Sequence, residues 1–294
     1  MGKRIMSQRK LHLHSEPEIH DATLLIGLSG WMNGGDVSTG TIEYLSETLQ
    51  AEELAHIDPE GFYIYSFPGS MEVTAMFRPH ARIADGLVRE YTPPENVFSS
   101  IPEKNLILFE GKEPNMGWEE YADCVFSMCK VFDIQRIFFI GSVAGATPHT
   151  REPRVAFSAS TGPLRNKLKD MGLRPTSYEG PASISTYLTS RAPREHIAQA
   201  NLVAEIPAYV QGYNPRSVET MVKLIARLLD FHISLDALRS AASLYEKKIS
   251  ELVAEETDLA EKVSKLERDY DTEEFDREMT DLDDWSGEQG LKVD

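Results

Sequence analysis

Arg136-Ile-Phe-Phe-Ile-Gly-Ser-Val-Ala-Gly-Ala-Thr-Pro-His-Thr-Arg-Glu-Pro-Arg154 is the stretch on which the fold turns. Ile137 to Ile140 is an unbroken β-branched and aromatic run that stops at Gly141. Such a run reads as a parallel strand buried on both faces. A small-residue loop follows, and then a dense polar cluster of Thr147, His149, Thr150, Arg151 and Arg154. In open α/β sheets ligands sit beyond the carboxyl ends of the strands. The loop after this strand is therefore the first place to expect a site.

Working outward, apolar runs alternate with helical patterns, which is the signature of α/β organisation. Thr23 to Leu28 reads as the first strand, and a Gly- and Asn-rich turn leads to a helix opened by Asp36 and ending near Leu49. Phe62 to Tyr65 and Asn105 to Phe109 read as further strands, and Trp118 to Phe132 as a helix. Pro163 to Met171 and Ile184 to Ser190 are helical, and Leu202 to Ile206 is one more strand. Asn214-Pro-Arg-Ser217 then caps a helix from Val218 to Phe231. Several strands end in loops rich in Gly, Pro and polar residues, which predicts one rim carrying the functional surface.

From Leu235 the period changes. Leu235, Leu238, Ala242, Tyr245, Ile249, Leu252, Leu259, Val263, Leu266 and Tyr270 fall on a 3-4 spacing, with Glu256 as the one miss. That pattern predicts helix packed along helix. Asp258-Leu-Ala-Glu261 resembles a capping box, so a break near Thr257 and a helical hairpin are expected. The division read from the chain is an N-terminal segment 1–20, an α/β domain 21–232, a helical appendage 233–272 and a disordered acidic tail 273–294.

The formal net charge of −17 argues against unspecific binding to nucleic-acid backbones. Residues 255–294 carry 16 acids and 5 bases, against 31 acids and 25 bases elsewhere, so the acidity belongs mainly to the C-terminal end. Cys124 and Cys129, the two cysteines, lie within one helix and read as core thiols in a reducing compartment. No apolar run approaches the ~20 residues that cross a bilayer. The basic N-terminus is followed by no apolar signal segment. A cytoplasmic protein without membrane contact is expected.

Candidate chemistry has a bland counterpart at each point. Gly30, Gly34 and Gly35, with Trp31 between them, lie in a strand-to-helix loop whose backbone N–H groups could receive an anion. The alternative is a tight turn with Asp36 as its cap. The loop matches no P-loop, G-x-G-x-x-G or nucleophile-elbow pattern. Arg151 and Arg154 could clamp a carboxylate or phosphate while His149 shuttles protons; the alternative pairs Arg151 with Glu152, Glu110 or Glu113. Glu179 and Glu113 stand in constrained turns and could act as general bases if desolvated. Ser158 and Ser160 read as a polar strand face. The eight histidines show no ligand spacing, so neither a metal site nor a cofactor is expected.

Gly30-Trp31, Asp58-Pro-Glu-x-Phe62, Arg78-Pro79, Gly111-x-Glu-Pro114 with Trp118, Pro148-His-Thr-Arg151, Tyr178-Glu-Gly-Pro181 and Ile206-Pro-x-Tyr209 occur in that order. This series resembles the PAC2 family, named for proteasome assembly chaperone 2, and in particular its actinobacterial-type members with a C-terminal helical extension. The resemblance covers roughly residues 20 to 270. It implies a phosphorylase/hydrolase-like three-layer α/β/α fold with a helical appendage, and self-association, with trimers favoured. Relatives that bind proteasomes use a C-terminal hydrophobic-tyrosine-any tripeptide, whereas this sequence ends Lys292-Val-Asp294.

Two classes of function follow. In one, the chain is a non-catalytic chaperone-like module that meets protein partners through its helical appendage. In the other, it is a nucleoside phosphorylase- or hydrolase-like enzyme or anion binder working from the strand-end loops. A deep rim pocket around Arg151 and a supported His149 would mark the enzyme, and a rim plugged by Trp31 and Trp118 would mark the module.

Overall fold

The computed structural model describes residues 10–288, with the side chains of the last helix described through Asp276. Strands β1 (Leu11–Leu13), β2 (Ala22–Ser29), β3 (Glu52–Ile57), β6 (Asn96–Ile101), β7 (Leu106–Lys112), β8 (Ile134–Gly145), β9 (Val155–Ala159), β10 (Arg174–Pro175) and β11 (Ala198–Pro207) form one sheet. A hairpin of β4 (His80–Ala84) and β5 (Leu87–Thr92) stands apart. The large sheet runs in the order β1-β3-β6-β7-β2-β8-β11-β9-β10. Its centre, β7-β2-β8-β11, is parallel, and both flanks turn antiparallel.

Two-residue alternation divides the core. Leu24, Ile26, Ile137 and Phe139 point to one face, beneath helices α3 (Trp118–Val131) and α5 (Ile184–Arg191). Leu25, Phe138 and Ile140 point to the other, beneath α1 (Val37–Leu49), α4 (Gly162–Asp170) and α6 (Pro215–Leu228). The result is the three-layer α/β/α arrangement that continuous apolar strands require. A short helix α2 (Met71–Ala75) precedes the hairpin. Cys124 and Cys129 are buried under the sheet and neither is in a disulfide.

Several readings of the chain need correction. Phe62 to Tyr65 is a loop rather than a strand. The Phe62 carbonyl accepts from the N–H groups of Asn115 and Met116, so the backbone there is spent on another loop instead of a ladder. The helix expected to be capped by Asp36 takes its cap from Asn33, whose Oδ1 accepts from the N–H of Ser38 (2.9 Å) and Thr39 (3.2 Å). Asp36 itself sits in a left-handed conformation with φ 51°. The hairpin, β1, β3 and β6 have no counterpart in the sequence reading.

The appendage consists of α7 (Asp236–Glu255) and α8 (Thr257–Glu288), broken at Glu256, whose extended backbone separates them. Asp258 lies inside the first turn of α8 instead of capping it. The buried seam of α7 runs Leu238, Ala242 and then Val253, while Leu252 is exposed. That is the 3.6-residue drift of a straight helix, expected where the partner is a globular face instead of a second supercoiled strand. Helix α7 lies along α6, with Arg216–Glu246 (3.0 Å) and Arg239–Glu219 (3.4 Å) bridging the two. Helix α8 continues to Glu288, through the region read as a disordered tail; residues 289–294 lie outside the described part.

Candidate functional site

The carboxyl ends of β2, β7, β8 and β11 form the rim, and α8 lies across its β8–β11 half. Pro148-His-Thr-Arg151 leaves β8 and meets α8 side chain by side chain. Arg151 takes Asp271 with two prongs, Nε to Oδ1 at 2.7 Å and Nη2 to Oδ2 at 2.9 Å, and Glu267 stands 3.7 Å from its Nη1. The Asp271 pairing raises the Arg151 pKa, and Arg151 in turn lowers that of Asp271. Thr150 donates its hydroxyl to Glu267. Arg154, largely buried, pairs with Glu273 (2.8 Å) and Glu274 (3.1 Å), and its guanidinium lies 4.1 Å from the Tyr270 ring centre. Arg174 also reaches Glu274. Tyr270 closes the cluster by donating to the Glu152 carbonyl (3.0 Å).

His149 is buried, and burial lowers its pKa. Nδ1 lies 2.7 Å from the Tyr209 hydroxyl and Nε2 lies 3.0 Å from Ser250 Oγ. A single tautomer satisfies both bonds: Tyr209 accepts from the His149 backbone N–H and donates to Nδ1, while Nε2–H donates to Ser250. His149 thus links β8, the Ile206-Pro-x-Tyr209 turn and α7. The cavity beside Arg151 and His149 holds only about 10 Å³. Arg151 pairs with Asp271 and Glu267 rather than the Glu152, Glu110 or Glu113 considered from sequence.

The glycine loop is also filled from within. Glu113 Oε2 accepts from the Trp31 N–H (2.8 Å), and Oε1 accepts from the Ile184 N–H (3.1 Å) at the start of α5. A carboxylate is favourable at a helix N-terminus, and Glu113 there joins the β2 loop to α5. Gly30, at φ 140°, has room only for hydrogen: a Cβ there would lie 2.7 Å from Glu113 Cβ. Gly34 packs against Ile206, and Gly35 against Asn214, whose backbone N–H donates to the Gly35 carbonyl (2.8 Å). Asn33 covers the start of α1 beside these contacts. Glu179 is exposed in its turn. Trp31 is 65% exposed and Trp118 donates Nε1–H to the Pro114 carbonyl. The β8–β11 half of the rim is closed by α8, not by these tryptophans.

The other half of the rim is open. A cleft of ≈ 790 Å³ between the ends of β2 and β7 is lined by Asp36, Glu43, Glu95, Glu110 and Lys112, with Tyr213 at its wall. Burial, with Glu43 and Glu95 adding to it, pushes Glu110 up to about 7. Sequence reasoning had no signal for this cleft, because Glu95 precedes β6, a strand with no local signature. At the β1–β3 edge, His14, Glu53 and His56 bring one ligand atom each to within 4.8 Å of one another, with Glu53 also lining this cleft, a grouping that no spacing in the sequence signals.

A three-layer α/β/α domain whose strand-end loops are locked under a C-terminal helical arm defines the class of protein. The PAC2 family profile matches residues 27–253, and the chain belongs to that family. Among solved structures it is similar to a proteasome-assembly chaperone homologue of Mycobacterium tuberculosis, at 28% identity and TM-score 0.71, covering 82% of this chain and 99% of that one. A second M. tuberculosis protein, of unknown function, is 20% identical with TM-score 0.79, covering 93% of this chain and 92% of that one. A proteasome activator of Pyrococcus furiosus is 18% identical with TM-score 0.61, covering 82% and 97%. The two matches below 25% identity speak to fold alone. No curated protein matches. Among the described residues no helix is long and apolar enough to cross a membrane.

Proposed function

We propose that this PAC2-family chain is a non-catalytic interaction module of the proteasome-assembly-chaperone kind, which associates with itself and meets protein partners through its helical arm. The observation that carries this reading is saturation of the Pro148–Arg151 loop. Both ring nitrogens of His149 and the cationic faces of Arg151 and Arg154 are taken by α7, α8 and Tyr209. Groups already paired inside the chain are placed to hold the arm, with no free donor set for an oxyanion.

Two further features support the reading. The likeness to the M. tuberculosis proteasome-assembly chaperone homologue supports a partner connected with proteasome assembly. The β4–β5 hairpin exposes Ile83, Leu87, Val88 and Tyr91. A two-stranded hairpin is marginal by itself, and apolar surface of this kind suits association with further copies, in a trimer by preference.

The test combines sedimentation of the purified chain, alone and with recombinant proteasome α-subunits, with assays for phosphate-dependent cleavage of nucleosides. The expected result is a trimer that co-sediments with α-subunits, an association that truncation at Leu235 abolishes, and no nucleoside cleavage. Cleavage that disappears in Arg151→Ala would establish the enzyme reading instead. A monomer indifferent to α-subunits would overturn the module.

A further inference from the structure

Nitrogen and oxygen donors converge at the sheet edge where β1 lies antiparallel to β3, beside the open cleft that Glu53 also lines. His14 follows β1 directly and is fixed there by its backbone N–H donating to the Leu54 carbonyl (2.9 Å). His14 Nε2 lies 2.7 Å from His56 Nδ1 and 3.3 Å from Glu53 Oε1. Glu53 and His56 are three apart on β3, a spacing that regular pleating sends to opposite faces. The pairing of β3 with β6 shifts register between Glu53 and Ala55, and this bulge returns Glu53 to the face of His56.

We propose that His14, His56 and Glu53 form a binding site for a borderline divalent transition ion of the Zn²⁺ type, which ties the edge strand β1 to β3. Two imidazole nitrogens and one carboxylate oxygen are a donor set such ions accept. The three ligand atoms already lie within 4.8 Å of one another, so a single ion can reach all of them. His12 stacks on the His56 ring at 4.8 Å, fixing the ring plane without supplying a ligand atom. A cavity of ≈ 270 Å³ bordered by Glu53, His56, Pro93 and Glu95 adjoins the cluster. The remaining coordination position opens there, to water or to a carboxylate.

Ion binding serves a structural need on this reading. β1 has only three residues and forms the sheet edge. Short edge strands contribute little pairing energy of their own, and a shared ion makes their attachment conditional on metal supply.

The test is titration of untagged full-length chain with ZnCl₂ by calorimetry at pH 7.5, with Co²⁺ as a visible probe. Wild type should bind one ion with a Kd on the order of micromolar, give the intense visible bands of four- or five-coordinate Co²⁺, and melt at a higher temperature with Zn²⁺. His14→Ala and His56→Gln should each weaken binding at least tenfold and abolish the melting shift. His14 is exposed enough that its truncation leaves the fold intact, and circular dichroism of the metal-free variants checks this. His12→Ala should bind as wild type does. Equal binding by wild type and the His14 and His56 variants, or a site lost with His12 and not with His14, would overturn the proposal.

Discussion

The two halves of the rim are built from the same strand ends and treat charge in opposite ways. Where β8 and β11 end, Arg151, Arg154 and Arg174 are covered by α8, whose carboxylates from Glu267 to Glu274 neutralise them, and His149 is held by Tyr209 and α7. Where β2 and β7 end, Glu43, Glu95 and Glu110 face an open cleft in which burial and mutual repulsion raise the Glu110 pKa. The basic half is finished by the chain, whereas the acidic half awaits something positive or stays frustrated. A strand-end position thus marks where a site can be, and the distant segments packed over it decide whether the site is open.

The largest effect is expected at the divide between the halves. Gly30→Ala forces a Cβ to within 2.7 Å of Glu113 Cβ at a backbone angle that L side chains rarely adopt. Relief requires moving the β2 loop and the Glu113 bridge together, so a loss of about 3 kcal/mol in denaturant unfolding is expected. An unchanged midpoint would mean that the two halves are not joined there. Glu113→Ala comes next. It leaves the N–H groups of Trp31 and Ile184 without their acceptor and should cost about 2 kcal/mol. Glu113→Gln, with one carbonyl oxygen in place of two acceptors, should recover part of that.

On the covered half, Arg154→Ala removes a stacked and doubly paired guanidinium, worth about 1–2 kcal/mol locally. Its readout is hydrogen exchange. Amides of α8 near Tyr270 should exchange faster while those of β2 and β8 keep wild-type protection. Uniform acceleration across the sheet would show that α8 is an integral part of the domain and not an arm resting on it.

How far the sequence reveals this depends on the range of the interaction concerned. The central strands, α3 and α5 follow from apolar runs and local caps, and the break at Glu256 follows from one misplaced acid. The PAC2 resemblance correctly anticipated the family and the layered fold. Local rules failed where a partner lies far along the chain. Asn33 displaces Asp36 as a cap because Gly35 and Asp36 turn left-handed. Tyr209 and Ser250 claim His149 from 60 and 101 residues away. Glu53, His14 and His56 meet only through a strand pairing and a bulge. Pro148-His-Thr-Arg151 was legible as a special loop, but nothing local says that its charges are answered by α8.

The smallest effect tests the open half and carries a sign. Glu110, raised from an ordinary carboxylate value to about 7, holds its proton more tightly folded than unfolded. Between roughly pH 4.5 and 7 the unfolded chain therefore loses this proton first, and the contribution of Glu110 to stability falls as pH rises. Glu110→Gln removes the titration while keeping the side-chain shape. The variant should match wild type near pH 4.5 and exceed it at pH 8 by about 1 kcal/mol after solvent screening, or roughly 2–4 °C in Tm. The pH dependence separates this from a packing change, which would shift both pH values alike. A variant less stable than wild type at pH 8 would mean that the Glu110 carboxylate is already answered by a positive group, with Lys112 in the same cleft the nearest candidate in sequence. The acidic half would then be as self-contained as the basic one.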